Sequence, residues 1–325
     1  MISVALCTYN GSRFLGEQLA SIRAQSRPVD ELVVCDDRST DDTVSLLRTF
    51  AETVSFPVRV HVNETNRGST KNFEKALSLC QGDLLFCCDQ DDVWRTDKVQ
   101  VLTEYLAQHP EHEAVFSNAR VIDEASQPTG RTIWEEIEFG PDKQAEWRAG
   151  RGYETLFGSY VVTGATLALR RRILPRVTPF PTVLPELIHD GWLALVLSLT
   201  NQIGFVDDTL LDYRRHAQQQ VGFGKKGRWV TLQDRFSRDR TEKLAPLRTK
   251  AEHATVLYNL LRQVPGVPPE KLETLRQRQA HFTRRASLPA ARWRRLGPVW
   301  DEWQRGRYRL SSPQWWRPVL GDLLE

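Results

Sequence analysis

The sequence predicts an α/β fold: a mainly parallel sheet flanked by helices, followed by a helical extension of different character. Three observations lead there. Short continuous apolar runs alternate with amphipathic stretches of helix length, as in parallel sheets covered on both faces. Several of the runs end in polar turns rich in aspartate, placing the chemistry at one rim of the sheet. From Lys225 onward 22 Lys and Arg face only 10 Asp and Glu, against 22 and 31 before it, so an acidic body carries a basic tail. The expected division is residues 1–222 and 223–325, in keeping with a length of 325 residues.

Ile2 to Cys7 reads as a strand buried on both faces, then Thr8-Tyr9-Asn10-Gly11-Ser12 as a turn. A helix follows with Leu15, Leu19 and Ile22 on one face. Glu31 to Cys35 is the second strand. It runs into Asp36-Asp37-Arg38-Ser39-Thr40, with Asp41 and Asp42 opening a helix that carries Val44, Leu47 and Phe50 or Ala51. Val58 to Val62 is a third strand, Asn63 to Ser69 a loop, and Phe73, Ala76, Leu77 and Cys80 mark a helix closed by Gly82. Asp83 to Cys88 is the fourth strand. After a helix over Lys98 to Gln108 comes the strand Ala114 to Asn118, then a polar stretch, Glu124 to Gly150, expected to be a mobile loop region. Val161 to Leu169 is a strand or turn whose Gly164 allows close backbone approach. A helix spans Leu193 to Leu199, a strand Ile203 to Val206, and Leu210 to His216 is a last ordered stretch.

Apolar content of 40% with 26% charged residues fits a globular enzyme. The five cysteines lack metal-binding spacing. Cys7, Cys35, Cys87 and Cys88 end apolar runs, which points to buried free thiols in a reducing compartment. The first residues lack a basic leader and no apolar run approaches the ~18 residues of a membrane span, so the expected location is cytoplasmic.

The tetrapeptide Asp89-Gln90-Asp91-Asp92 follows the apolar run Leu84 to Cys88. Three carboxylates that close repel one another unless they share a cation, and Mg²⁺ or Mn²⁺ wants carboxylate oxygens with substrate phosphates completing its shell. A solvated acidic turn is the plain alternative.

Six segments together resemble family 2 glycosyltransferases: Thr8-Tyr9-Asn10-Gly11, Asp36 to Asp41, Asn66-Arg67-Gly68, Asp89-Gln90-Asp91-Asp92-Val93-Trp94, His189-Asp190 and Tyr213-Arg214-Arg215-His216. The acidic segment looks most like the bacterial surface-polysaccharide, rhamnosyltransferase-like branch. The resemblance covers residues 1–222. It implies a GT-A fold, Rossmann-like in its sheet, a nucleotide-sugar donor, a divalent cation (Mn²⁺ or Mg²⁺) and inversion at the anomeric carbon. Carried onto this chain, Thr8, Tyr9 and Asn10 lie by the nucleotide, Asp36 or Asp37 accepts a pyrimidine N3–H, and Asn66, Gly68, Lys71, Asp89 and Gln90 line the donor site. Asp89, Asp91, Asp92 and His216 are the metal candidates, and Asp190 matches the catalytic base. Arg38 stands where the family commonly has glycine, which implies a differently shaped turn.

Each role has a plainer alternative: an N-cap for Asp190, helix capping for Asp36 and Asp37, solvated charge for Arg67 and Lys71, packing for Trp94 and Trp192, a structural histidine for His216. Glu186 competes as base, and His189 reads as the group orienting Asp190. The tail interleaves Arg284, Arg285, Arg292, Arg294, Arg295, Arg305, Arg307 and Arg309 with Trp293, Trp300, Trp303, Trp315 and Trp316. That mixture suits an anionic membrane surface at the inner face of the plasma membrane, near a glycan or lipid-linked acceptor; packing on the acidic body is the alternative. No nucleic-acid reading motif accompanies the charge. A sugar-phosphate nucleotidylyltransferase and a non-catalytic nucleotide-sugar-binding or membrane scaffold module are the competing functions.

Overall fold

The computed structural model describes residues 1–217, 219, 239–311 and 314–324. The boundary expected at 222/223, and the start of the basic tail at Lys225, lie outside the described residues. The chain divides into two compact units, Met1–Phe223 and Gly224–Glu325.

In the first unit, β1 (Ile2–Thr8), β2 (Glu31–Asp36), β3 (Val58–Val62) and β4 (Leu84–Cys88) are parallel, linked through α1 (Ser12–Arg23), α2 (Thr43–Ala51) and α3 (Ser69–Leu79). β1, β2 and most of β4 are buried along their length, as continuous apolar runs require. The short β5 (Val93–Trp94) and α4 (Lys98–Gln108) follow, then β6 (Ala114–Ile122), β7 (Pro128–Thr132), β8 (Leu167–Arg170), α5 (His189–Leu199) and β9 (Ile203–Arg214). The sheet order is β3-β2-β1-β4-β8-β6-β9-β5, with β7 paired to β6. The order reverses between β1 and β4, a switch point where two loops diverge and leave a crevice at the carboxyl ends. β8, β7 and β5 run antiparallel to their neighbours, so the sheet is mixed at one side.

Two expectations are corrected. Residues 124–150 are not a mobile loop: they hold β7, helices at Ile133–Glu136 and Pro141–Glu146, and a π-helical turn at Trp147–Arg151. Trp134 and Trp147 pack edge-on against Phe116 and Phe139 tilts against it, with Phe205 completing the cluster. Aromatic anchors spaced through a polar stretch bury enough surface to order it. The segments expected at 203–206 and 210–216 join in one long strand that ends at Arg214, before Arg215 and His216, and is bent by register shifts against β6. All five cysteines are free and buried, and burial pushes Cys35 up to about 11 and Cys80 to about 12, which leaves those thiols inert.

In the second unit, α6 (Arg240–Leu261) packs on α7 (Pro269–Ala286), followed by a 3₁₀ turn at Arg292–Arg295, α8 (Leu296–Gln304), α9 (Arg307–Ser311) and α10 (Trp316–Leu324). A small core of Leu288, Val299 and Tyr308 is covered by Trp315, Val319 and Leu323. Buried polar groups are paired within it: Arg285 with Asp322 at 2.6 Å, and His281 with Glu302 at 2.7 Å. Among the described residues no helix is long and apolar enough to cross a membrane.

Glu31 is the polar tie under β1 and β2. Its carboxylate accepts from Ser3 Oγ at 2.5 Å, Gln81 N at 2.6 Å and Arg59 Nη2 at 2.6 Å. Burial opposes ionisation, but these donors outweigh it and hold the pKa below its ordinary value. The charged form therefore stabilises the fold above the unfolded-state value and stops doing so as pH falls through the lowered one. Glu31→Gln is expected to cost about 1–3 kcal/mol in urea unfolding at neutral pH, and the gap to wild type should close on acidification below about pH 4.5.

Candidate functional site

The carboxyl ends of β1, β2 and β4 form a level rim, with Thr8 opposite Asp36 and Leu6 opposite Cys88. The loops leaving it are pinned to one another. Thr8 Oγ1 donates to Asp36 Oδ2 at 2.8 Å, and Ser39 donates through N to Oδ1 at 2.8 Å and through Oγ to Oδ2 at 2.6 Å. Asp36 is wholly buried, so the structure gives it bracing work. Asp37 is likewise enclosed: Asn63 Nδ2 and Arg67 N donate to Oδ1 and Gly68 N to Oδ2, all within 2.9 Å. Asn66 lies beside it, its Nδ2 3.4 Å from the Asp37 carbonyl.

Asn10 has a left-handed backbone, φ 48°, and ties the same two loops together. Its N donates to Ser39 Oγ and its Oδ1 accepts from Thr40 N, both at 2.8 Å. Gln90 closes the other side of the crevice. Its amide accepts from Tyr9 N at 2.8 Å and donates to Tyr9 O at 3.0 Å, copying a strand pairing. A Cβ on Gly11 would stand 2.1 Å from Gln90 Oε1, so this clamp needs glycine there. The Tyr9 side chain itself is exposed on the rim. Lys71 is committed elsewhere: Nζ bonds Glu74 and the Phe180 carbonyl. The α2 terminus is served by Asp41, whose Oδ1 accepts from Thr43 N at 3.1 Å; Ser39 and Thr40 are not its caps.

Within the crevice the acidic tetrapeptide meets the end of β9. Asp91 Oδ2 lies 2.7 Å from His216 Nε2, with the imidazole tilted over Phe14. Asp92 is buried; Oδ1 accepts from Arg214 N at 3.0 Å and Oδ2 has no partner among the described residues. Burial and the charges of Asp91 and Asp89 drive the Asp92 pKa far up. Asp89 is pushed up to about 8 by burial and by the carboxylates of Asp91 and Asp190. Such crowding, with an orphan oxygen behind it, fits a hard divalent cation.

The compensating charges are Lys98, to which the sequence reading gives no role, and Arg214, which it holds only as part of the segment Tyr213 to His216. Lys98 is wholly buried, 2.5 Å from the Ala165 carbonyl and 3.9 Å from the Trp94 ring centre. Burial brings its pKa down to about 8 even though Cys88, Asp92 and Asp89 oppose the fall. Arg214, also buried, spans Asp91 O at 2.8 Å, Ser126 Oγ at 2.8 Å and Glu17 Oε2 at 3.0 Å. Tyr213 stands among all four aspartates: burial first, then Asp92, Asp89, Asp91 and Asp190, raise its phenol strongly. The resemblance marks Tyr213 to His216, whereas only the apolar start of α4 hints at Lys98.

Asp190 is the second residue of α5, not its N-cap, which is Ile188. Its Oδ2 accepts from Gly164 N at 2.8 Å and Oδ1 from Gly191 N at 2.6 Å. Gly164 must lack a side chain, since a Cβ would lie 2.8 Å from His189 Nε2 and 3.3 Å from Asp190 Oδ2. His189 does not orient Asp190: it stacks on Phe73 at 4.0 Å and neither ring nitrogen has a partner among the described residues. Burial holds the His189 pKa down, keeping it neutral. Tyr160 packs on the start of α5 by Gly191, half open to solvent, and its phenol is raised by burial, Asp190 and Glu186. Trp94 and Trp192 are core residues, the latter donating from Nε1 to Val177 O at 2.8 Å. Between α4 and β6, His109, Glu111 and His112 bring ligand atoms within 4.8 Å of one another, outside this acidic cluster.

The family model for "Glycosyl transferase family 2" matches residues 3–177, more than half of the chain. Asp190 and Tyr213 to His216 lie beyond the matched span. The chain is 29% identical over 221 residues to Rv1520 of Mycobacterium tuberculosis, covering 66% of this chain and 59% of that protein. It therefore spans about three fifths of that relative's length. It is 28% identical over 233 residues to the dTDP-rhamnosyl transferase RfbG of Shigella flexneri, covering 67% and 73%. Among solved structures, residues 1–349 of TarS of S. aureus, with UDP-GlcNAc, superpose with a TM-score of 0.55 at 16% identity, covering 99% of this chain and 88% of that 1–349 chain. That likeness establishes the GT-A fold.

The Gln90 clamp has a measurable signature. Gly11→Ala is expected to cost about 1–3 kcal/mol through overpacking and to speed amide exchange over residues 9–12. Removing the obstructing amide in Gly11→Ala/Gln90→Ala should recover part of that loss, so a double-mutant cycle by urea unfolding should show coupling of about 1 kcal/mol.

Proposed function

The chain belongs to glycosyl transferase family 2, and from that premise we propose a specific reaction. The protein transfers a sugar, with inversion at the anomeric carbon, from a UDP- or dTDP-linked donor to a hydroxyl of a glycan or lipid-linked acceptor in bacterial surface polysaccharide synthesis. Its place of action is the cytoplasm, at the inner face of the plasma membrane. One observation carries the reading: Asp190, anchored by two backbone N–H groups on α5, stands close enough to Asp89 at the end of β4 to raise its pKa. A rigidly held carboxylate thus faces a cluster suited to a cation and a diphosphate.

Asp190 acts as the base. Two of its roughly four acceptor positions are taken by Gly164 and Gly191, which fix its plane and leave positions on both oxygens for a hydroxyl. It takes the acceptor's proton as the acceptor oxygen forms its bond to the anomeric carbon. On the far face the bond to the diphosphate breaks, and the nucleoside diphosphate leaves with the electron pair. Asp89, Asp91 and His216 would hold Mn²⁺ or Mg²⁺, with Asp92 supporting them from behind. The ion, when bound, supplies Lewis-acid stabilisation of the leaving phosphate oxygens. Exposed Tyr9 and the loops pinned by Asp36, Asp37 and Asn10 frame the nucleotide; Thr8, Asn66, Gly68 and Gln90 hold that frame. Tyr160 supplies aromatic surface on the acceptor side.

RfbG, a dTDP-rhamnosyl transferase by name, supports a pyrimidine diphosphate sugar as donor. A nucleotidylyltransferase would need a glycine-rich, cation-bearing loop after β1; here that loop is filled by the Gln90 amide.

Asp190→Asn should lower turnover by about 10²–10⁴-fold while leaving UDP or dTDP affinity unchanged by calorimetry. Near-normal turnover would refute the base. Asp91→Ala and His216→Ala should weaken Mn²⁺-dependent nucleotide binding by about 10–100-fold, with little change when the cation is omitted.

A further inference from the structure

The second unit turns a continuous apolar stripe outward. Trp293, Leu296, Trp300 and Trp303 recur at three- and four-residue spacing on one helical face and are 69, 61, 56 and 41% exposed. The opposite face carries Arg295, Val299 and Glu302, all buried. α10 repeats the pattern: Trp316, Leu320 and Leu324 are about half exposed, while Val319 and Leu323 pack on the inner core. Large exposed apolar side chains aligned on two neighbouring helices mark an interaction surface.

The flanking charge decides what covers it. Arg292, Arg294, Arg305, Arg309 and Arg317 are exposed around the stripes, and Arg294 and Arg317 lie over the rings of Trp293 and Trp316 at 4.9 and 5.4 Å. A second copy meeting this face through a two-fold would set these arginines against their own kind. An anionic bilayer answers both features, since indoles settle at headgroup depth and arginines meet phosphates. Beside α10 a cavity of about 400 Å³ is lined by Arg240, Lys243, Arg285, Arg295 and Arg317 together with Glu242 and Asp322, so cations outnumber acids along its wall.

We propose that the segment from Arg292 to Leu324 docks the protein peripherally on an anionic membrane surface, with the indoles at headgroup level. This deepens the reading of the acceptor as lipid-linked and rests on it for purpose, though not for evidence. The test is flotation of the full chain with phosphatidylglycerol-containing vesicles and with phosphatidylcholine alone, using brominated lipid to quench tryptophan. Expected are binding to the anionic vesicles only, loss with rising salt, and quenching of the exposed indoles. Trp300→Ser/Trp303→Ser and Trp316→Ser/Leu320→Ser should each reduce partitioning roughly tenfold or more, with unchanged circular dichroism and Mn²⁺-dependent nucleotide binding. Wild type that fails to float or shows no quenching overturns the proposal without need of a variant. So do variants that float normally, or that change only the oligomeric state, which would make the face a contact between copies. Absent nucleotide binding in wild type would instead strike at the proposed reaction and leave the docking intact.

Discussion

Four carboxylates gathered at one switch point of a parallel sheet are the constraint on which the rest of this molecule turns. Asp89, Asp91, Asp92 and Asp190 influence one another through a poorly solvated crevice, and among the described residues the buried cations Lys98 and Arg214 lie against them. Repulsion of this kind costs stability in the empty protein and becomes an asset once positive charge arrives. The neighbouring architecture keeps the crevice from relaxing. Arg214 is held by four separate partners and Lys98 by a carbonyl and an indole face, so neither cation can swing out to leave the acids unattended.

The same constraint separates bracing residues from reacting ones. Asp36, Asn10 and Gln90 read as ligand contacts because they sit in polar turns at the carboxyl rim. Their hydrogen-bonding capacity is largely spent on other loops. A polar residue at such a rim has two uses, and sequence alone does not distinguish them. Asp91 and Asp190 keep acceptor capacity facing the crevice; Asp36 does not.

How much was legible follows from how local each signal is. β1, β2 and β4 and the helices between them were readable because buried parallel strands are continuous apolar runs with abrupt polar ends. Gly164 was readable as a point of close approach, whereas Asp190 was marked by the resemblance, and the helix that carries it begins four residues before the expected Leu193. The order in residues 124–150 was not, since Trp134, Phe139 and Trp147 contact partners distant in sequence, Phe116 and Phe205. Lys98 was invisible for a related reason. A lysine opening a helix reads as solvated, and only the carboxylates brought beneath it by β4 and the 91–92 turn make its burial tolerable. The placement of His189, which lacks a hydrogen-bond partner among the described residues, likewise depends on Phe73 from another helix.

Arg38 shows how this network overrides local preference. Its backbone is left-handed, φ 69°, a conformation glycine adopts freely and other residues at a cost of about 1–2 kcal/mol. The next residue, Ser39, donates two bonds to the buried Asp36 carboxylate, and Asp37 on the other side is locked by Asn63, Arg67 and Gly68. With both neighbours fixed, the intervening peptide has one path, and the side chain must accept it. The strain is therefore held in place by the loops that border the crevice, and it leaves an exposed guanidinium at the rim between β1 and β2. Replacing it with glycine would relieve the backbone but enlarge the unfolded ensemble, two effects of opposite sign and similar size. The turn's path is thus held by the bonds that fix Asp36 and Asp37 before Arg38 and Ser39 after it.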